Sequence, residues 1–307
     1  MPFLVITGTF HLVGRTPAGN SSGFAPDGDS VQFRPADQSL LDRLTRVGRP
    51  YRLTSIGSTQ LRFEGIDALE LHFDGSHQPR PLADRARDFL TGELDLNPVP
   101  YRAPANIRVR PPVERDATPG YILSRALEVT GRPVAFAFAA VPPAPAGSEV
   151  FLRAGLLRQS LNYRSLDRGQ SYPLFYDTLF ADLRAVLAKA AATARQARRG
   201  LWRCDRSRSG LVVRSQTDLE QNGVIFPKLF RRLTEYLRRQ GGDLSEFLPW
   251  LELTREQVLE LPTTNFTHFE DVLDVYANTI RLRPRPEELV FVSAKSMSTA
   301  AAPWLAV

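Results

Sequence analysis

The sequence predicts an α+β protein built as two domains. Short apolar runs with period-two alternation dominate the first half, stretches with helical spacing dominate the second, and the texture changes after Gly200-Leu201-Trp202. A length of 307 residues suits two domains or one large decorated one, and 43% hydrophobic against 23% charged residues is enough to bury a sizeable core. The expected partition is a strand-rich domain over 1–203 and a small, mainly helical domain over 204–307.

Taken in order, Phe3 to Val13 reads as a first strand. A Gly/Ser/Asn-rich loop follows, then Pro26-Asp27-Gly28-Asp29 and the alternating Ser30-Val31-Gln32-Phe33. Asp-Gly is a turn signal, so Asp29 sits where a hairpin turn becomes a strand. Ser39 to Val47 has helical spacing at Leu40, Leu41 and Leu44, with Ser39 as N-cap. Gln60 to Phe73 reads as a strand that bends at Gly65. Leu82 to Leu90 reads as an amphipathic helix, and the proline-rich Asn97 to Pro119 as a surface excursion. Tyr121 to Val129 is expected as a short helix and Val134 to Val141 as an apolar strand. Glu149 to Leu161 is expected to run from a strand edge into a helix. Tyr172 to Arg199 is the longest helical candidate, framed by Pro173 and Gly200. In the second domain, helices are expected over Pro227 to Gln240, Leu244 to Leu251, Thr254 to Leu261 and Thr264 to Leu282. A strand follows at Glu288 to Val292, then a small-residue tail from Ser293.

Composition narrows the chemistry. The formal net charge is +6 and the pI about 9.7, which favours an anionic partner such as nucleic acid. Of the basic residues only Lys189, Lys228 and Lys295 are lysine, and arginine grips phosphate bidentately, although a GC-rich genome produces the same bias. The single Cys204 excludes an intrachain disulfide and a Cys-rich zinc site, and His11, His72, His77 and His268 are scattered. With neither a signal-peptide pattern nor a run of membrane length, the expected location is the cytoplasm.

The stretch with chemical content is Gln60 to Phe73, QLRFEGIDALELHF. It places Arg62 ahead of Asp67 and Glu70 within an apolar run. A cation and two anions at a strand end are costly to bury unpartnered, so they are expected to face a cleft. Carboxylates for a hard cation and an N–H fork for a charged oxygen form the combination phosphate chemistry uses.

Set in order, the DGD turn at Asp29, Arg62-x4-Asp67-x2-Glu70, Gly131-Arg132, Gly155-Leu156 and Gly200-Leu201-Trp202 resemble the staphylococcal nuclease-like (thermonuclease) family. The likeness covers roughly 3–203. It implies an OB-fold five-stranded β-barrel with flanking helices. It also implies Ca²⁺ held by Asp29, Asp67 and the carbonyl of Ala68, with Glu70 as general base. Arg62 and Arg132 would hold the phosphate oxygens, Tyr163 would line the nucleotide pocket, and single-stranded DNA or RNA would be cut to 3′-phosphate ends. The sequence departs from the pattern at Ala68-Leu69, where the family has Thr-Pro, at Thr130 and at Leu161, where it has tyrosines. Those departures keep open a second reading, an idle OB module that binds nucleic acid or protein. The second domain is open to substrate docking, oligomer contacts or partner binding. His268, Glu270 and Asp271 read as a solvated helix face.

Overall fold

The computed structural model describes residues 2–293, so the tail expected from Ser293 lies outside the described residues from Ala294 onward. The chain forms two compact units, each assembled from two segments: 1–64 with 85–165, and 65–84 with 166–307. The chain crosses between units at Glu64–Gly65, inside the stretch that carries the charged motif. The partition therefore does not follow the single cut near 203 that composition suggested.

The first unit is built on a nearly closed β-barrel sheet of eight strands, rather than the five expected. Phe3–His11 is its centre. It pairs antiparallel with Gln32–Pro35 on one side and with Thr118–Leu127 on the other. Thr118–Leu127 pairs with Pro133–Phe138, which pairs parallel with Arg62–Phe63. At the other edge, Gln32–Pro35 pairs with Thr59–Gln60. The two edge strands are thus separated by Leu61 alone, and that adjacency is what brings the curled sheet round on itself. Leu61 N–H donates to Val31 O at 3.0 Å and Phe63 N–H to Asp29 O at 3.1 Å, so the DGD turn helps to close the seam. Thr45–Arg46 and Glu149–Val150 add short flanking pairs.

Inside, Val5, Ile6, Phe10, Phe33, Phe63, Ile122, Leu123, Phe136 and Phe138 are buried. Phe10 and Phe33 lie 5.1 Å apart, and Tyr121 stacks on Phe138 at 4.6 Å. A Cβ at Gly120 would lie 2.3 Å from Phe138 O and 2.7 Å from the Phe10 ring, so only glycine lets these strands approach.

Tyr121–Leu127 therefore belongs to the Thr118–Leu127 strand and not to the expected helix over Tyr121 to Val129. Its apolar residues pack across a sheet, and β-branched and aromatic side chains suit that surface. Ser39–Val47 shortens to a 3-10 turn over Gln38–Arg43, capped by the Asp37 carboxylate rather than by Ser39.

In the second unit, Ile66–Ala68 pairs antiparallel with Ser171–Pro173, setting Asp67 opposite Tyr172. Gly65 makes the bend: its φ is +77°, and a Cβ there would meet Leu187 at 2.6 Å. The long helix begins at Ala181 and not at Tyr172, because Ser171–Pro173 and Phe175–Tyr176 are strands. Mainly helical is also wrong for 204–307. Helices Gln216–Asn222, Pro227–Gln240 and Phe247–Glu252 stand beside a four-stranded sheet and a three-stranded sheet. The stretches 254–261 and 264–282 supply the Gln257–Glu260, Asn265–His268, Leu273–Tyr276 and Thr279–Leu282 strands. Their apolar residues are too sparse for a helical stripe but suffice for one buried sheet face.

Asn162 fixes the seam of the first unit from within. Its amide accepts from Ala137 N–H at 3.0 Å and donates to Glu64 O at 2.9 Å and Ala135 O at 3.0 Å, with the side chain fully buried. Replacing it by leucine leaves buried backbone groups without partners. Asn162→Leu is expected to destabilise the protein by roughly 2–4 kcal/mol, read as a lower denaturation midpoint.

Candidate functional site

The motif residues fall into two sets, one in each unit. In the first unit, Asp29 is half-buried at the end of a turn closed by Asp27, whose carboxylate accepts from Gly28 N–H at 2.8 Å. Arg62 starts its short strand, and Arg132 lies just before the strand that pairs with it. Between the two arginines sits a carboxylate the motif did not contain, Glu128. Arg132 Nε donates to Glu128 Oε1 at 2.6 Å, and Thr130 Oγ1 donates to the same oxygen. The hairpin that positions them turns on Gly131, at φ +94°, where a Cβ would strike Pro50 O at 2.2 Å. This is the physical reason for glycine in the Gly131-Arg132 pair. Burial alone would raise the Glu128 carboxyl. The hydrogen bond and charge of Arg132, the Thr130 hydroxyl and the charge of Arg62 outweigh it and hold the pKa below its ordinary value. Close by in chain and charge, Glu64 is buried and its pKa is raised by desolvation, against the partial offset of Arg125 and Arg62. Tyr163 is half-buried on the Leu161–Asp167 helix, with its N–H on Ser160 Oγ at 3.1 Å. Its ring pairs with no other aromatic among the described residues.

In the second unit, Asp67, Ala68 and Glu70 lie on and just after the Ile66–Ala68 strand. The cleft-facing, open arrangement expected for them is not what the structure has. Asp67 is 1% exposed, and Arg231 takes both of its oxygens: Nη2 donates to Oδ2 at 2.9 Å and Nη1 to Oδ1 at 3.1 Å. The same Nη1 also donates to Glu70 Oε1. Desolvation would lower the Arg231 pKa, but the two carboxylates outweigh it and raise it well above the ordinary value, so the guanidinium is charged at every accessible pH.

Arg231 is positioned by the Pro227–Gln240 helix. Pro227 opens that helix at N1, and Leu229, Phe230, Leu233 and Leu237 bury its apolar face. Gln78, itself fully buried, ties the start of this helix to the carboxylates. Its Nε2 donates to Gly223 O at 2.6 Å and Ile225 O at 2.8 Å, while its Oε1 accepts from Glu70 N–H at 3.1 Å. The neighbouring cations are engaged elsewhere. Lys228 Nζ lies 2.5 Å from Glu256 Oε1, and Arg232 reaches Glu256 at 3.2 Å and Glu235 at 2.8 Å.

This arrangement does not fit Ca²⁺. A hard cation wants six to eight oxygens, with water among them. Here three carboxylate oxygens already accept from one guanidinium, and a divalent ion would have to sit against that positive charge.

Sequence reasoning missed Glu128, Gln78, Asn162 and Arg231. Arg231 had a signal. Its helical neighbours at i−4 and i+3, Pro227 and Thr234, are both on the buried face, and a charge among buried positions demands a partner.

Two other charged features lie in the second unit. His268, Glu270 and Asp271 gather their ligand atoms within 4.8 Å of one another. They follow a strand into a 3-10 turn, not along a helix face, and Asp271 caps Thr267 Oγ1 and His268 N–H. Arg168, Arg198, Arg203, Arg206 and Arg208 are exposed around the Gly200–Arg203 turn and form no ion pair among the described residues. Backbone contact between Gly169 and Arg199–Gly200, with Leu201 N–H on Gly169 O at 2.9 Å, holds Arg168 beside the others.

Comparison with protein-family models and with curated proteins returned no match. Among the described residues, no helix is long and apolar enough to cross a membrane.

The Glu128 geometry sets a pH dependence. The folded carboxyl titrates below the unfolded one, so its stabilisation is complete above the unfolded pKa and is lost as pH falls through the folded value. Glu128→Gln is expected to cost about 1–3 kcal/mol at neutral pH. The wild-type and variant stability curves should converge in acid below the ordinary glutamate pKa.

Proposed function

We propose that this chain acts on nucleic acid as a phosphodiesterase of the thermonuclease-like kind, on an OB-type barrel. The observation that carries the reading is the convergence of Asp67 and Glu70 oxygens on the single Nη1 of Arg231. Two carboxylates aimed at one cation, preceded by an arginine at the Arg62-x4-Asp67 spacing, make up the charge arrangement of phosphoryl transfer. In this reading Arg62 and Arg132 hold the non-bridging phosphate oxygens through forked N–H donors. Glu70 takes the proton of the attacking water. The unpaired arginines around the Gly200–Arg203 turn supply backbone affinity without base readout.

One observation favours a second reading, the idle nucleic-acid- or protein-binding module. Glu70 is already the partner of Arg231 and must give up that contact, or share it, to act as a base.

The test is cleavage of single-stranded DNA and RNA, with Ca²⁺ and with EDTA, by the wild type and Glu70→Gln. Cleavage giving 3′-phosphate ends, reduced by roughly 10²–10⁴ in the variant, is expected. Retained binding with no cleavage in any condition would establish the module instead. Single-strand affinity should fall at least about tenfold between about 50 and about 200 mM salt, the drop that three or more phosphate contacts require. It should flatten when Arg198 and Arg203 are both replaced by alanine.

A further inference from the structure

We infer that Arg231 is the resident cation of the Asp67–Glu70 pair, so that this site is metal-free as built and becomes a divalent-cation site only when the guanidinium is removed. The inference concerns the carboxylates of the phosphodiesterase reading and rests on that reading for the use of this charge in catalysis.

Three features separate Arg231 from a surface arginine resting near two acids. First, the contact is a bidentate fork on Asp67, at 2.9 and 3.1 Å, extended through Nη1 to Glu70. Planar guanidinium and carboxylate match in that geometry, whereas a lysine would make a point contact. Second, the arm is fixed at both ends. Its helix is buried along one face, and Gln78 joins the residues before that helix to the Glu70 backbone. Third, the alternatives are occupied: Lys228 and Arg232 both neutralise Glu256. With Asp67 at 1% exposure, removing Arg231 takes away the guanidinium that compensates a buried carboxylate. A divalent ion is the natural replacement, because the freed oxygens converge within the reach of one atom.

The chemical consequence is a change of cation, not a loss of one. A guanidinium offers fixed positive charge and N–H donors to a phosphate oxygen, without coordination geometry or metal dependence.

The experiment measures cation binding directly, using the full chain. Ca²⁺ is titrated by calorimetry and Tb³⁺ by sensitised luminescence, for which Tyr172, opposite Asp67 in the strand pair, is the antenna. Wild type is expected to show no saturable site up to about millimolar ion, while Arg231→Met gains one at least tenfold tighter that Arg231→Met/Glu70→Gln loses again. Saturable wild-type binding abolished by Asp67→Asn overturns the inference, and this arm needs no folded Arg231 variant. If Arg231→Met folds but gains no ion site, the inference is overturned as well. Cleavage separates the two ideas. Ca²⁺-dependent cleavage by wild type removes the inference and keeps the phosphodiesterase. A chain that neither binds Ca²⁺ nor cleaves keeps the inference and removes the phosphodiesterase.

Discussion

A carboxylate with 1% of its surface exposed is costly to bury unless a cation stands against it, and in this protein that cation is Arg231. Much of the second unit is arranged to deliver it. The Pro227–Gln240 helix must present Arg231 at the Ile66–Ala68 strand, which requires the helix start to be held near Glu70, and Gln78 holds it there by three hydrogen bonds. Once the helix is placed, Lys228 and Arg232 are carried into the same region and need their own counter-charge, which Glu256 provides. Each pair is costly to desolvate, so the network contributes less to net stability than to fixing one arrangement. Taking away either member of a pair would expose the full cost of the other.

The first unit follows the same rule on a different scaffold. Its sheet is closed by consecutive short strands, Thr59–Gln60 and Arg62–Phe63, at opposite edges. That closure delivers Arg62 to the neighbourhood of the Glu128–Arg132 hairpin. Glu128 then lies between two arginines, and its lowered pKa records their combined field after burial has been overcome. Glu128 in the first unit, and Asp67, Glu70 and Glu256 in the second, each meet a basic side chain. The excess that gives the chain its +6 appears instead on exposed arginines such as Arg198 and Arg203, where water carries the cost and an anionic partner would gain.

Legibility in the sequence varied with the range of the interaction involved. The Asp27-Gly28 turn and the bend at Gly65 were readable, because each is set by backbone geometry within a few residues. The strands at Phe3 and Val134 were readable as short apolar runs bounded by turn residues. Tyr121–Val129 was not, since a run of nine residues with apolar positions at mixed spacing fits either period until a partner strand selects one. The strands after Thr254 were missed for the same reason. In the site, Arg62, Asp67 and Glu70 were visible as a spaced set. Arg231 lies 164 residues from Asp67, and no local pattern states that distance.

By itself the sequence determined which residues carry charge among apolar neighbours, where the chain must turn, and that phosphate-directed chemistry was the reading those charges invited. The tertiary structure alone decided what answers them. Pairing across the second unit seats a guanidinium on Asp67 and Glu70, where the family resemblance had implied a metal ion at Asp67 and a general base at Glu70. The physical reason is that burial makes an unpaired carboxylate too costly to keep. A carboxylate specifies only that some cation must come, and the packing of a distant helix determines which one.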